Sequence, residues 1–552
     1  MVVAVQLAAL LALLLALWRL AWRPHAVARS FAMQGVRGPP YTFLAGSLPE
    51  AKRLVMAGRR GVAPLDAACH DIMPVLLPQF HRWVADYAHL TRCYRSELLK
   101  WLLLLYTIIN SGWRTFLFWI GPIPALFSTD LQLIKQVLTD RTGLYQKDFM
   151  IPVLKFLFGN GVILINGDDW KRHRKVVLPA FNHETIKSMS AVTAEVTKQM
   201  MQQWREQIHQ SGDKESAEID MIHAFNDLTA KVNGRVAFGT SHWEVDEVIV
   251  LMREMQKLAT AAMLDAPILW YLPTRRNLHV RRLNKQLRSK IMSIMQARLA
   301  ADGAKCGGRG GGGDLLGLLL EAWTPQQQQH GNNGETLTTD EVIDECKTFF
   351  AAGQETTATL LVWAMFLLAV HPEWQHKVRE EVFRELCCTS DGDGDDEVPH
   401  ADVLAKLKLL YMVLLETSRL YPPIVYIQRR AASDAVLGDI KVPQGTVISI
   451  PIAMLHRDKQ VWGADAGEFN PMRFEHGLTK AAKDPKALLA FSLGPRVCTG
   501  QSFGIVEVQV VMAMILRRFS FSLSPEYVHK PKYLLSLTPK LGMPLIVRNV
   551  DG

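Results

Sequence analysis

Phe491-Ser492-Leu493-Gly494-Pro495-Arg496-Val497-Cys498-Thr499-Gly500 is the stretch from which the rest of this chain can be read. Glycines at 494 and 500 let the backbone pass close to a flat partner, because a residue without Cβ approaches where others collide. Arg496 supplies a fixed cation with a planar fork of donors, suited to a carboxylate on that partner. Cys498 can ligate iron as a thiolate, with backbone amides around it to tune its basicity. Residues 502–518 continue as an apolar helix whose first turn favours negative charge just ahead of it. A lone cysteine is more often a buried structural thiol. That reading leaves Phe491, Gly494, Arg496 and Gly500 unexplained at their offsets from Cys498, so iron ligation is the expectation.

Three motifs upstream agree. Thr338 followed by Glu341 forms a capping box, and His371-Pro372 ends the segment it opens. The helix between them has about 32 residues and a length of roughly 48 Å. From Thr357 onward it is apolar on nearly every face, which predicts burial, and that part is too short to cross a bilayer. It carries Ala352-Gly353-Gln354-Glu355-Thr356-Thr357. Gly353 costs about 1 kcal/mol against alanine in a helix interior, so its missing side chain is expected to leave room for a small ligand beside the iron. The Thr356 hydroxyl is expected to bond back to the Ala352 carbonyl, with the acid Glu355 next to it. Glu416 and Arg419 lie three apart on one helix face, before Pro422-Pro423 and the later Asn470-Pro471-Met472-Arg473-Phe474. Trp170 and Arg174 are one helical turn apart and both can donate to one carboxylate. His173 between them reads as a solvated histidine in a basic turn.

Taken in chain order, from Trp170 through the central helix, Glu416 and Arg473 to Cys498, the motifs resemble the cytochrome P450 family, whose loop runs Phe-x-x-Gly-x-Arg-x-Cys-x-Gly. The likeness covers residues 33–548. It implies a cytochrome P450 fold, mainly α with a minor β portion, behind an N-terminal transmembrane helix. It implies haem b with Cys498 as axial thiolate, and Trp170, Arg174, Phe491, Gly494 and Arg496 around the cofactor. Gly353, Glu355 and Thr356 become the catalytic group, the acid and alcohol relaying protons for dioxygen cleavage. Glu416, Arg419 and Arg473 become a buried structural triad; Met472 replaces the family's usual glutamate, and the arginine is kept. The wider text, such as Asp344-Glu345-Cys346-Lys347-Thr348-Phe349-Phe350 and His456-Arg457-Asp458, is similar to the plant non-A-type microsomal clan. Members of that clan hydroxylate fatty acids, triterpenoids and hormones. The implied activity is insertion of one oxygen atom from O2 into an apolar small molecule. Electrons would come from NADPH through NADPH-cytochrome P450 reductase, docked on a basic face behind Cys498, since the chain has no flavin or dinucleotide motif. The rival readings are a haem-thiolate isomerase or dehydratase that needs no O2, and a non-catalytic membrane haem-binding protein. The pair Glu355-Thr356 argues against the isomerase, which has no use for a proton relay.

Composition fits this frame. Of 552 residues 49% are apolar, enough for a large core. The net charge of +9 is carried by no long basic tract, which leaves a nucleic-acid partner without support and a membrane surface or acidic protein partner open. Seven cysteines without regular spacing are not a disulfide framework, so the body is expected in a reducing compartment. Residues 1–22 hold only Gln6 and Arg19 as polar side chains and read as an uncleaved signal anchor. Arg19, Arg23, His25 and Arg29 follow the apolar run, so the body is expected in the cytosol behind a single span in contact with lipid; the resemblance implies that the membrane is that of the endoplasmic reticulum. Residues 23–40 read as a basic, proline-rich hinge and 41–552 as one catalytic domain. Strands are expected at 446–452 and 543–547, and helices at 189–208, 246–263 and 284–299. Loops are read at 307–313, 326–329 and 391–397. The substrate pocket is expected on 153–164, 257–266 and 424–427.

One stretch departs from the family's pattern. Residues 88–113, with the apolar run 101–109, stand between segments that similar proteins join almost directly, as an insertion or a retained intron. Deleting 88–113 is expected to raise the yield of soluble, haem-loaded protein; loss of haem incorporation in the deleted chain would reject the intron reading.

Overall fold

The computed structural model describes residues 1–59, 65–87, 115–148, 153–239, 243–262, 271–304, 315–323, 337–387 and 401–550. The insertion at 88–113 and the loops at 307–313, 326–329 and 391–397 lie outside the described residues. The chain divides into two compact units: residues 1–148, 425–467 and 482–497 form the first, and 149–424, 468–481 and 498–552 the second.

The second unit is built around one helix. The Thr338 hydroxyl accepts the Glu341 backbone N–H (3.3 Å) and the Glu341 carboxylate accepts that of Thr338 (2.8 Å). This reciprocal cap starts the central helix, Thr339–Val370, which ends at His371. Every residue from Thr357 to Leu368 is buried, so the helix is a core element although it is long and apolar enough to span a membrane. Against it pack the helices Val153–Phe158, Met221–Phe238, Lys408–Leu420 and Gln501–Arg518. The expected helices appear as His183–Gln210, Trp243–Ala262 and Arg275–Ala304. Trp363 stacks on Tyr421 at 4.2 Å, and its indole N–H donates to the Leu537 carbonyl (2.7 Å). That bond ties the helix to the hairpin of β10 (Pro531–Tyr533) and β11 (Leu537–Pro539). A three-stranded antiparallel sheet completes the unit, in the order β4 (Ser216–Asp220), β12 (Pro544–Asn549), β9 (Phe519–Leu523).

The first unit holds the larger sheet. Its order is β1 (Thr115–Ile120), β2 (Ile123–Ser128), β8 (Val447–Ile450), β5 (Ile427–Ala431), β3 (Tyr145–Gln146), with only β2 and β8 parallel. Aromatic side chains cover it: Phe127 stacks on Phe116 (4.7 Å) and on Phe80 (4.8 Å), and Trp83 is 1% exposed beside Phe118. The chain opens with the helix Val2–Leu17, a π-helical turn Trp18–Trp22 and the helix Arg23–Met33. The large apolar residues of the first helix are exposed, from Val3 to Leu17, whereas the base of the third is fixed. Tyr41 donates to the Leu20 carbonyl (2.6 Å), Arg23 to that of Gln444 (2.9 Å), and Gln34 exchanges two bonds with Lys441 (3.2 and 2.6 Å). The backbone leaves the helix at Gly35, φ +83°, so within 23–40 the turn falls in the later part.

Burial of charge is a cost the second unit accepts openly. Glu507, on the helix Gln501–Arg518, is 0% exposed, and neither carboxylate oxygen meets a donor in bonding geometry. Burial pushes its pKa up to about 8, the Thr357 hydroxyl beside it pulling the other way. The folded state therefore keeps a proton that the unfolded state releases above its ordinary pKa near 4.5. Stability falls as pH rises from there to about 8, by about 1.4 kcal/mol per pH unit, and is level above. Glu507→Gln is expected to abolish that slope; parallel denaturation-midpoint profiles for the two proteins between pH 5 and 8 would contradict it.

Candidate active site

The cysteine loop is shaped by two residues with left-handed backbone. Ser492 has φ +66° and Gly494 φ +74°. A Cβ at 494 would lie 2.3 Å from the Leu138 carbonyl oxygen, so only glycine fits. A short 3-10 turn, Gly494–Arg496, follows. The loop is pinned from behind, since Ser492 donates its N–H to Leu489 (2.8 Å) and Leu489 to Nε2 of the buried His456 (2.8 Å). Cys498 then emerges as an exposed cysteine outside any disulfide, two residues before Gly500, the N-cap of Gln501–Arg518. No side chain caps that helix, so its positive end lies just beyond the sulfur. At Gly500 a Cβ would stand 3.4 Å from the Phe181 ring.

In the second unit Trp170 and Arg174 share one face of the helix Gly167–Val177. The Arg174 guanidinium lies 5.6 Å from the Trp170 ring centroid, and its Nη1 donates to the Thr499 hydroxyl (3.1 Å), one residue past Cys498. His173 corrects the sequence reading: it is 1% exposed, not solvated. Its Nδ1 lies 2.6 Å from Glu345 and its Nε2 3.3 Å from Glu341. The acids that bury it sit on the central helix, remote in sequence, so local basic composition gave no sign of them.

On the central helix the Thr356 hydroxyl donates to the Ala352 carbonyl (2.7 Å), as expected. Glu355 accepts the Ser536 hydroxyl (2.6 Å), and Ser536 also pairs with Thr359 (3.1 Å). Burial raises the Glu355 pKa, against the Ser536 bond and the Lys532 charge. Gly353 is explained differently from the expectation of room for a ligand. A Cβ there would meet Oδ1 of Asn233 at 2.3 Å, and Asn233 is fully buried, with Nδ2 bonded to the Thr229 carbonyl (2.9 Å). The glycine is needed for close packing on Met221–Phe238.

The charged triad is assembled in the same unit. Arg419 grips Glu416 through Nε (2.7 Å) and Nη2 (2.8 Å), both residues being 0% exposed. Glu416 also accepts the Asn470 N–H (2.9 Å), Arg419 reaches the Glu468 carbonyl (2.9 Å), and Arg473 lies 3.7 Å from Glu416. A helix and the 468–474 segment are thus cross-linked by charge-assisted bonds.

Phe491, Gly494 and Arg496 belong to the first unit, and Arg496 buries its Nη1. That unit also holds a cation that motif reading missed. Arg429 on β5 is 4% exposed, and its hydrogen bond goes to the Gln428 carbonyl (2.8 Å), with no ion pair among the described residues. Burial pulls its pKa down to about 10. An arginine so buried calls for an anion. Within the second unit, an accessible thiol at Cys498 with the Arg174 guanidinium held one residue past it is the chemistry a haem-thiolate site requires, so these residues fit that cofactor.

Comparison with known proteins points the same way. The family model described as Cytochrome P450 matches residues 113–546. Cytochrome P450 709B3 of Arabidopsis thaliana is 37% identical over 534 residues, covering 96% of this chain and 95% of the relative. Cytochrome P450 734A1 of the same plant is 34% identical over 537 residues (96% and 93%). Secologanin synthase 2 of Catharanthus roseus is 36% identical over 543 residues (97% and 95%).

The packing account of Gly353 makes a prediction. Gly353→Ala is expected to destabilise the protein by about 1–3 kcal/mol through overpacking, and Asn233→Ala added to it should recover most of that loss in thermal melts. A double variant no better than the single one would show that the glycine serves something other than this contact.

Proposed function

Since the chain belongs to the cytochrome P450 family, we propose that Cys498 is the axial ligand of its haem iron and that it hydroxylates an apolar small molecule. The enzyme is a cytochrome P450 monooxygenase similar to plant members, and the family's cofactor is haem with an axial cysteine thiolate. When bound, haem activates dioxygen, and its thiolate ligand favours O–O cleavage. The observation that carries the assignment is the exposed Cys498 thiol on a loop that excludes side chains at Gly494 and lies ahead of a helix N-terminus.

Each remaining residue has a task that its geometry supports. Arg174, anchored to Thr499, and Trp170 beneath it present donors to a propionate. Arg496, two residues before Cys498 in the same loop, is the cation the sequence motif assigns to a propionate. Thr356 holds a proton at Oγ and loosens the helix at Ala352. Glu355, buried and bonded to Ser536, has its pKa raised above that of an ordinary carboxyl, which makes it a stronger base when ionised. The substrate class is a fatty acid, terpenoid or hormone-like molecule. On the first expected pocket segment Val153, Leu154, Leu157 and Phe158 are packed in the core, so the reading of the substrate class rests on the family resemblance. Residues 263–266 of the second segment lie outside the described residues. Electrons come from NADPH through a separate reductase on the basic face behind Cys498. The apolar helix, exposed along its first half and followed by Arg19, Arg23 and Arg29, supports a single-pass anchor in the endoplasmic reticulum membrane with a cytosolic body.

Purified protein reconstituted with NADPH-cytochrome P450 reductase tests this. Cys498→Ala is expected to lose the thiolate signature of the reduced carbon-monoxide spectrum. Thr356→Ala should bind haem normally and divert reducing equivalents to peroxide, tight coupling in that variant counting against the relay. An axial nitrogen donor in the wild-type protein would sink the assignment of Cys498.

A further inference from the structure

We infer that His173 and Glu345 are positioning residues, whose buried pair sets the helix Gly167–Val177 so that Trp170 and Arg174 stand where they hold haem. The inference rests on the reading of Trp170 and Arg174 given above.

Three consecutive side chains of that helix are committed. Arg172 forks onto Glu341 of the central helix (2.5 and 3.0 Å). His173 reaches Glu345 (2.6 Å) and Glu341 (3.3 Å). Arg174 points to the cysteine loop, donating to Thr499 (3.1 Å). A carboxyl group faces each ring nitrogen, an arrangement in which the imidazolium can donate to both. Burial pulls its pKa down, and the two carboxylates outweigh that, leaving it raised.

Glu345 does more than hold the ring. The same oxygen accepts the Val162 N–H (2.7 Å), so one buried carboxylate joins the helix to the turn that precedes it. Beside it, Asp344 accepts the Asn160 N–H (2.8 Å) and the Thr348 hydroxyl donates to the Phe158 carbonyl (2.6 Å). A Cβ at Gly159 would lie 2.3 Å from Cγ of Asp344, and one at Gly161 would lie 2.1 Å from Oγ1 of Thr348. The turn therefore lies flat on the central helix. Arg288, from the helix Arg275–Ala304, bonds Asp344 (2.6 Å) and Asp340, bracing the same patch. The helix is thus fixed at its entry by the Glu345 clasp, along one side by Glu341, and at the other by Thr499.

A buried ion pair rarely adds net stability, because desolvation consumes the Coulombic gain. What it adds is a single allowed registration. Haem-binding donors must be held to within a fraction of an ångström, and partners behind such donors typically change affinity by about 10–100-fold when removed.

The test measures haem transfer from purified holoenzyme to excess apo-myoglobin, with His173→Phe, His173→Gln, Arg174→Ala and the core control Leu287→Ala. His173→Phe should release haem about tenfold faster than wild type. His173→Gln, whose amide still donates to Glu345, should stay close to the wild-type rate, and Leu287→Ala should release at that rate although it melts lower. A wild-type rate in His173→Phe while Arg174→Ala releases quickly overturns the positioning role and leaves the haem-holding reading intact. Equal release from Leu287→Ala and His173→Phe also overturns it, since general loosening then suffices. A wild-type rate in Arg174→Ala removes the haem-holding reading and this inference with it.

Discussion

At Gly494 the backbone stands at φ +74°, with the Leu138 carbonyl oxygen 2.3 Å from where a Cβ would be, and four residues later Cys498 presents its sulfur. That steric closure dictates the path of the chain around it. Ser492 accepts left-handed geometry at φ +66°, a cost of about 1–2 kcal/mol for a residue with a Cβ. Its backbone is compensated by Leu489, which in turn leans on the fully buried His456. The helix Gln501–Arg518 must begin where Gly500 leaves space for Phe181, and its burial against the central helix then fixes the direction in which the loop arrives. A ligand held this way is set by backbone, not by a mobile side chain.

Ionisable side chains are buried in three different manners. Glu416 and Arg419 satisfy each other and also bond Asn470 and Glu468, so their desolvation is repaid through four hydrogen bonds. Glu507 has no donor in bonding geometry and answers burial by keeping its proton. Arg429 cannot shed its proton near neutral pH, so its burial against a single carbonyl leaves a demand for an anion. The three differ in how desolvation is met: by a partner, by a retained proton, or, among the described residues, by a single carbonyl.

Much of this was legible in the sequence, for definable reasons. The cap Thr338–Glu341, the back-bond of Thr356 and the grip of Arg419 on Glu416 are all local, spanning three or four residues, and helix geometry alone brings their atoms together. The roles of His173 and Gly353 were misread because their partners, Glu345 and Asn233, come from helices more than a hundred residues away. Arg429 was missed because one arginine on a short strand carries no spacing that marks it. Partners fixed by tertiary packing leave no periodic trace, whereas partners fixed by one helical turn do.

The same distinction governs how chemistry and specificity are encoded. The buried charged residues are bonded several ways at once, so changing Glu416 or Arg419 breaks bonds on both the helix and the 468–474 segment. The side chains of 153–158 instead contribute apolar volume, and a core tolerates exchanges of volume at small cost. Relatives that match this chain over nearly their whole length at 34–37% identity carry names as different as Cytochrome P450 709B3 and Secologanin synthase 2. Residues tied by several bonds can absorb little change, whereas residues that supply apolar volume can absorb more, and sequence identity in the mid-thirties is compatible with both.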